Sequence, residues 1–156
     1  MLKEDKENLS LDELLAELDS ENFVFGEYLR AVRRAKKISI RQLAKAVNKT
    51  PTYLSDIEKG NNKPPEKELL EKIIQELKLD DYQKLKNTLF DLAAKERNDI
   101  PADIKEYLMS NKALLQIIRT AQEKPDGEQI WTQMSEKVCG GTKMADNKRE
   151  QEREEL

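Results

Sequence analysis

Histidine is missing from the chain, and cysteine appears once, as Cys139. Without histidine, the commonest general acid–base group, the histidine-based triads and the usual zinc ligand are all excluded. One cysteine cannot build an internal disulfide framework or a thiolate metal cluster. Aromatic residues make up only 5% of the chain, so any core is mostly aliphatic. No apolar run approaches the roughly 18 to 20 residues of a membrane-spanning helix. The charged opening MLKEDKENLS lacks the apolar stretch of a signal peptide. There is no phosphate-cradling glycine loop and no supported pair of catalytic carboxylates. These gaps point away from an enzyme, a cofactor or metal protein and a membrane protein, and toward a cytoplasmic one.

Charge, by contrast, is plentiful: 38% of the residues are Asp, Glu, Lys or Arg, and the small net value of -3 hides a segregated pattern. Residues 1–22 carry two lysines against eight carboxylates, a net -6. Residues 28–63 carry ten Lys and Arg against only Asp56 and Glu58, a net +8. A basic block of this density suits a polyanionic partner. It is also what a merely solvated, lysine-rich helical surface would present, so charge alone leaves both readings open.

Periodicity divides the chain into short helices, and strand signals are scarce. LSLDELLAEL (residues 9–18) has a capping-box spacing, Ser10 to Glu13, and a leucine stripe. Helices follow over residues 23–37, with Phe25, Leu29 and Val32 inward, and over IRQLAKAV, capped by Ser39. TPTYLSDIEKG (residues 50–60) reads as one helix with Thr50 at the N-cap, Pro51 in the first helical position and Gly60 just past the end. Asn48 stands at the turn before it, where asparagine tolerates a left-handed backbone. The prolines of NNKPP enforce a loop, and EKELLEKIIQELK makes a further helix. Beyond it the pattern predicts helices from Asp80 to about residue 97, then ADIKEYLMSN, KALLQIIRTAQE and EQIWTQMSEKV. The last 18 residues, without apolar periodicity, are expected to form a disordered tail.

Residues 38–60, ISIRQLAKAVNKTPTYLSDIEKG, fit a helix-turn-helix in which a small residue, Ala44, lets the two helices cross closely. In such a motif the second helix enters the major groove and the first helix and following loop hold phosphates. The pattern of Ser39, Leu43, Ala44, Val47, Thr50, Leu54, Ser55, Ile57, Glu58 and Gly60 resembles the phage lambda repressor and Cro-like, or XRE-type, regulators. The resemblance covers about residues 25–79. It implies an all-α, five-helix domain that acts as a dimer on an inverted-repeat operator.

Carried over residue by residue, the resemblance puts Pro51, Thr52 and Asp56 at base-facing sites. It puts Tyr53, Lys59, Asn61 and Lys63 near the DNA backbone, and makes Arg33 and Glu58 a buried structural ion pair. Where the family often has a phosphate-clamping glutamine, this chain has Ile40, so Arg41 and Gln42 are the candidates for that role. Lys49, Thr50 and Ser55 complete the expected DNA-facing set. Asp56 is unusual on such a face. Its carboxylate can accept from the N4 amino group of cytosine, or it can simply pair with Lys59 three residues on.

The expected organisation is an acidic arm (1–22), a helix-turn-helix domain (23–79), a helical extension (80–138) and a charged tail (139–156). The extension, with the apolar stripe of ALLQIIRTA and the lone Trp131, suits either dimerisation or a protein partner. The function expected is a sequence-specific transcriptional regulator, a repressor binding double-stranded DNA as a homodimer. The alternative is an antitoxin-like or adaptor module whose fold mainly serves another protein.

Overall fold

The structure is a computed structural model that describes Glu13 and residues 23–154, with side chains described as far as Gly140. The leucine-striped segment 9–18 therefore lies outside the described residues, apart from Glu13. Among the described residues there are eight helices and no strand. They are α1 (Phe25–Ala35), α2 (Ile40–Ala46), α3 (Pro51–Glu58), α4 (Lys67–Glu76), α5 (Gln83–Arg97), α6 (Ala102–Ser110), α7 (Lys112–Glu123) and α8 (Gly127–Glu154). The chain divides into two compact units, with the boundary inside α6 between Glu106 and Tyr107.

The core of the first unit is aliphatic with a few rings, as the low aromatic content requires. Phe25, Leu29 and Val32 of α1 meet Leu43 and Ala44 of α2, Leu54 and Ile57 of α3, and Leu70 and Ile73 of α4. The same core continues into α5, where Leu85, Leu89, Phe90 and Ala93 are buried. α5, which follows the expected domain end at residue 79, packs on α1 and shares this core. Tyr28 is the largest fully buried side chain, standing edge-on to Phe23 with ring centroids 5.3 Å apart. Its hydroxyl has no hydrogen-bond partner among the described residues. Burial pushes the phenol up to about 12; Thr88 opposes the rise only in part, because its hydroxyl donates to Lys84 O at 2.8 Å and not to the phenol oxygen.

Helices α1 to α5 all end in the same way. After each last turn one residue takes a left-handed backbone: Lys37, Asn48, Gly60, Lys78 and Asn98, with φ between 52° and 79°. The amide of that residue and the one after it return to the helix's free carbonyls, as in Lys37 N to Arg34 O (2.9 Å) and Ile38 N to Arg33 O (3.2 Å). This closing pattern usually draws on glycine, because an L side chain costs about 1–2 kcal/mol in that conformation. Here two lysines adopt it. In both cases the following residue, Ile38 or Leu79, is apolar and packs into the core, which offsets the strain. Lys36 adds a tie beside them, donating to Lys78 O at 3.2 Å with its ammonium 4.4 Å from the Tyr82 ring centre.

In the second unit, α7 is capped by Asn111, whose side chain accepts from Leu114 N at 3.0 Å. α8 packs on α7, and Gly127 abuts the Ala121 carbonyl, so a Cβ there would collide with it. Ala121 is the one buried side chain of α7. Ile117, Ile118, Met134 and Val138 stay 36–79% exposed. With a rise of 1.5 Å per residue, the 28 residues of α8 extend about 42 Å against about 18 Å for the 12 of α7. α8 runs as helix to Glu154, across the segment that lack of apolar periodicity marked as a disordered tail. Apolar patterning registers burial, whereas residues 142–154 contain no glycine or proline and are mostly straight-chain residues of good helix propensity.

Candidate nucleic-acid interface

The candidate site is built on α2, α3 and the loop that follows α3. Ser39 caps α2 reciprocally: its hydroxyl accepts from Gln42 N at 3.1 Å, and Gln42 Oε1 accepts from Ser39 N at 2.8 Å. Asn48 takes the left-handed turn position with φ 56°. Thr50 then caps α3 by accepting from Tyr53 N at 3.1 Å, with Pro51 in the first turn, where its missing N–H costs nothing. Ala44 is fully buried where α2 packs on α3. These local rules set the angle and spacing of the two helices.

Two internal attachments hold α3 against the rest of the unit. Arg33 of α1 grips Glu58 with both arms of its fork, Nε to Oε1 at 2.6 Å and Nη2 to Oε2 at 3.0 Å. Its third nitrogen donates to Ile38 O at 2.8 Å. Both residues are only 7% exposed, so the pair is structural and withdrawn from solvent. The second attachment is steric. At Gly26 a Cβ would stand 2.5 Å from the carbonyl oxygens of both Ile57 and Glu58, so the first turn of α1 touches the main chain of the last turn of α3.

None of the twelve residues expected to face DNA is buried. Arg41 and Gln42 are exposed on the first turn of α2, and Lys49, Thr50, Pro51 and Thr52 at the start of α3. Tyr53, Ser55 and Asp56 are partly exposed along α3; Lys59, Asn61 and Lys63 are exposed beyond it. Lys49 lies over the Tyr53 ring, 5.3 Å from its centre. Asp56 makes no ion pair with Lys59 among the described residues, and its carboxylate stays available. Its main-chain carbonyl accepts from both Asn61 N (2.8 Å) and Asn62 N (3.2 Å). Ile40, the departure from the family's glutamine, packs partly against the core. Gln42 keeps only its amide N–H groups free, because the cap occupies its carbonyl.

Sequence reasoning missed Gly26, Glu96 and Arg97. Gly26 left a signal, a glycine inside an otherwise strong helical pattern, which often marks close backbone approach. Glu96 and Arg97 left none, because their partners lie 71 and 31–33 residues away in the chain. Among the described residues, no group of three or more His, Cys, Asp or Glu could hold a metal ion. No helix among them is long and apolar enough to cross a membrane.

A capped helix, a tight left-handed turn and a second helix that exposes a polar face flanked by cations define a helix-turn-helix DNA-binding domain. Residues 29–81, about a third of the chain, match the Helix-turn-helix family of XRE/Cro/CI type, and this segment is a domain of that family. No curated protein and no solved structure gives a significant match to the chain. The family match ends two residues before α5 begins, although α5 supplies part of the same core.

Proposed function

We propose that the chain is a sequence-specific transcriptional repressor that reads an inverted-repeat operator as a dimer, through α2, α3 and the loop after α3. One observation carries this reading: the structural charges Arg33 and Glu58 are paired inside, while every candidate DNA-facing residue stays at the surface of a segment with net charge +8. Pro51, Thr52 and Asp56 face the bases. Arg41, Gln42, Lys49, Thr50, Tyr53, Ser55, Lys59, Asn61 and Lys63 hold or flank the phosphates. Asp56 accepts from a cytosine N4 amino group, with Lys49 and Lys59 offsetting its repulsion by the backbone. The exposed Ile117, Ile118, Met134 and Val138 of the second unit are the surface a second copy covers. The unit carries four cationic and four anionic side chains between Tyr107 and Gly140, so two copies would not repel.

The test is fluorescence anisotropy on the duplex upstream of the chain's own gene and on a scrambled duplex, each at low and near-physiological salt. Binding to the upstream duplex that survives salt supports the reading, because purely phosphate-driven binding falls steeply as salt rises. Asp56→Ala should then relax base preference at one position, about 1–3 kcal/mol of discrimination. Equal weakening on every sequence would refute a base-reading role. The second reading, an adaptor or antitoxin-like module, draws on Ile40 standing where the family clamps a phosphate. Weak binding to both duplexes that vanishes with salt would select it.

A further inference from the structure

The loop between α3 and α4 is short, exposed in its middle and pinned at both ends. At its start, Gly60 turns left-handed with φ 79°, and Asn61 N and Asn62 N both donate to Asp56 O. At its end, Pro64 and Pro65 are buried. Asn61, Asn62 and Lys63 between them form an exposed arch. A proline after Lys63 disfavours helical backbone at that residue, so the arch cannot simply extend α4. Its far end is held from outside the matched family segment. Arg97, in the last turn of α5, donates from Nη1 to Pro64 O at 2.8 Å and from Nη2 to Glu66 Oε1 at 3.1 Å.

The neighbouring residue fixes α5 itself. Glu96 Oε1 accepts from Phe25 N at 2.7 Å, taking one of the free donors at the start of α1, where a carboxylate also meets the positive end of the helix dipole. α1 has no side-chain cap of its own, because its N-cap position is Val24. Two consecutive side chains of α5 thus bind opposite edges of the reading head: Glu96 the helix that Arg33 and Gly26 lock to α3, and Arg97 the loop that leaves α3. A guanidinium can reach a carbonyl and a carboxylate at once through its rigid fork; an ammonium cannot do so in the same geometry.

We propose that Arg97 is a positioning residue for DNA binding, holding the Asn61–Lys63 arch where Lys63 and Asn61 meet the phosphate backbone, with Glu96 anchoring it to α1. This rests on the DNA-binding reading above. It adds that the reading head is incomplete without the end of α5.

The experiment is a double-mutant cycle on the full chain between Arg97→Ala and Lys63→Ala, using the upstream and scrambled duplexes, with hydrogen exchange measured on the free protein. Each single variant should weaken binding about 5- to 10-fold and lower the slope of log affinity against log salt by about one, the loss of one phosphate contact. The double variant should be no more than about 2-fold weaker than either single one, because both remove the same contact. In free Arg97→Ala, exchange at the hydrogen-bonded amides of Asn61 and Asn62 should rise about 10-fold or more while the buried amides of α1 and α3 keep wild-type rates. Multiplicative losses, an unchanged salt slope, or a rise in exchange spread evenly over the unit would each overturn the proposal. If Arg97→Ala fails to fold, Arg97→Lys keeps the charge without the fork and should show the same pattern at smaller size; wild-type behaviour in it would overturn the proposal. If the wild-type protein binds neither duplex, the DNA reading fails, and the exchange rates alone then decide whether Arg97 holds the arch.

Discussion

In a helix interior alanine is more favourable than glycine by about 1 kcal/mol, so Gly26→Ala in α1 would ordinarily stabilise the protein. Here the tertiary environment reverses the sign. The new Cβ would lie 2.5 Å from two carbonyl oxygens, those of Ile57 and Glu58, and 2.9 Å from the Glu58 carbonyl carbon. A comfortable carbon–oxygen approach is about 3.3–3.6 Å, so α1 and the end of α3 must separate by nearly 1 Å. No side chain can swing aside, because the opposing atoms are main chain. Ile57 is buried, and Glu58 is held by the Arg33 fork. Overpacking of this kind costs about 1–3 kcal/mol and sits at the upper end when backbone must move. Against the propensity gain, the net expected loss is about 2 kcal/mol, or roughly 8–16 °C in melting temperature for a unit of this size. Urea unfolding of the full chain, with Gly60→Ala as the control, reads it out. Gly60 has open space around its Cβ but φ 79°, so its cost of about 1 kcal/mol is conformational alone. A Gly26→Ala protein as stable as wild type, or more so, would refute the close approach of α1 to α3.

Two further outcomes follow from the core. Arg33→Leu strands the Glu58 carboxylate and should cost about 3–5 kcal/mol, whereas Arg33→Leu with Glu58→Leu should recover much of that loss; equal losses in urea melts would mean the pair is not the cause. For Tyr28, the folded phenol titrates near 12 against 10.0 unfolded, so the folded state keeps its proton longer. Stability is therefore full below about pH 10 and falls as pH rises from there toward 12. Tyr28→Phe should remove that alkaline slope and leave stability at neutral pH unchanged or slightly raised, since a buried hydroxyl without a partner is unfavourable. Persistence of the slope in the variant would assign it to other groups.

The elements around the site were readable because their signals are local. Ser39, Thr50, Pro51 and Gly60 act on amides and carbonyls within a few residues, and periodic Leu and Ile positions mark the inward faces. Asn48 was readable for the same reason. Lys37 and Lys78 were not, since nothing in their neighbourhood advertises a left-handed lysine, and what offsets the strain is the burial of Ile38 and Leu79. That α5 shares the first core was not readable, because it shows the same kind of apolar stripe whether it closes that core or faces something else. The helical course of α8 past residue 139 was missed because absence of an apolar stripe says nothing about propensity.

The sequence by itself determined that residues 23–138 form a series of short helices, where α2 and α3 begin and end, and which residues stand on the outer face of α3, because each depends on chemistry spanning a turn or two of chain. Only the tertiary structure decided that Gly26 must stay a glycine, that α5 belongs to the reading head, and that Glu96 and Arg97 brace opposite edges of it. Those relations join residues 31–71 positions apart, and the choice of partner at that distance is made by packing a shared core rather than by any local propensity.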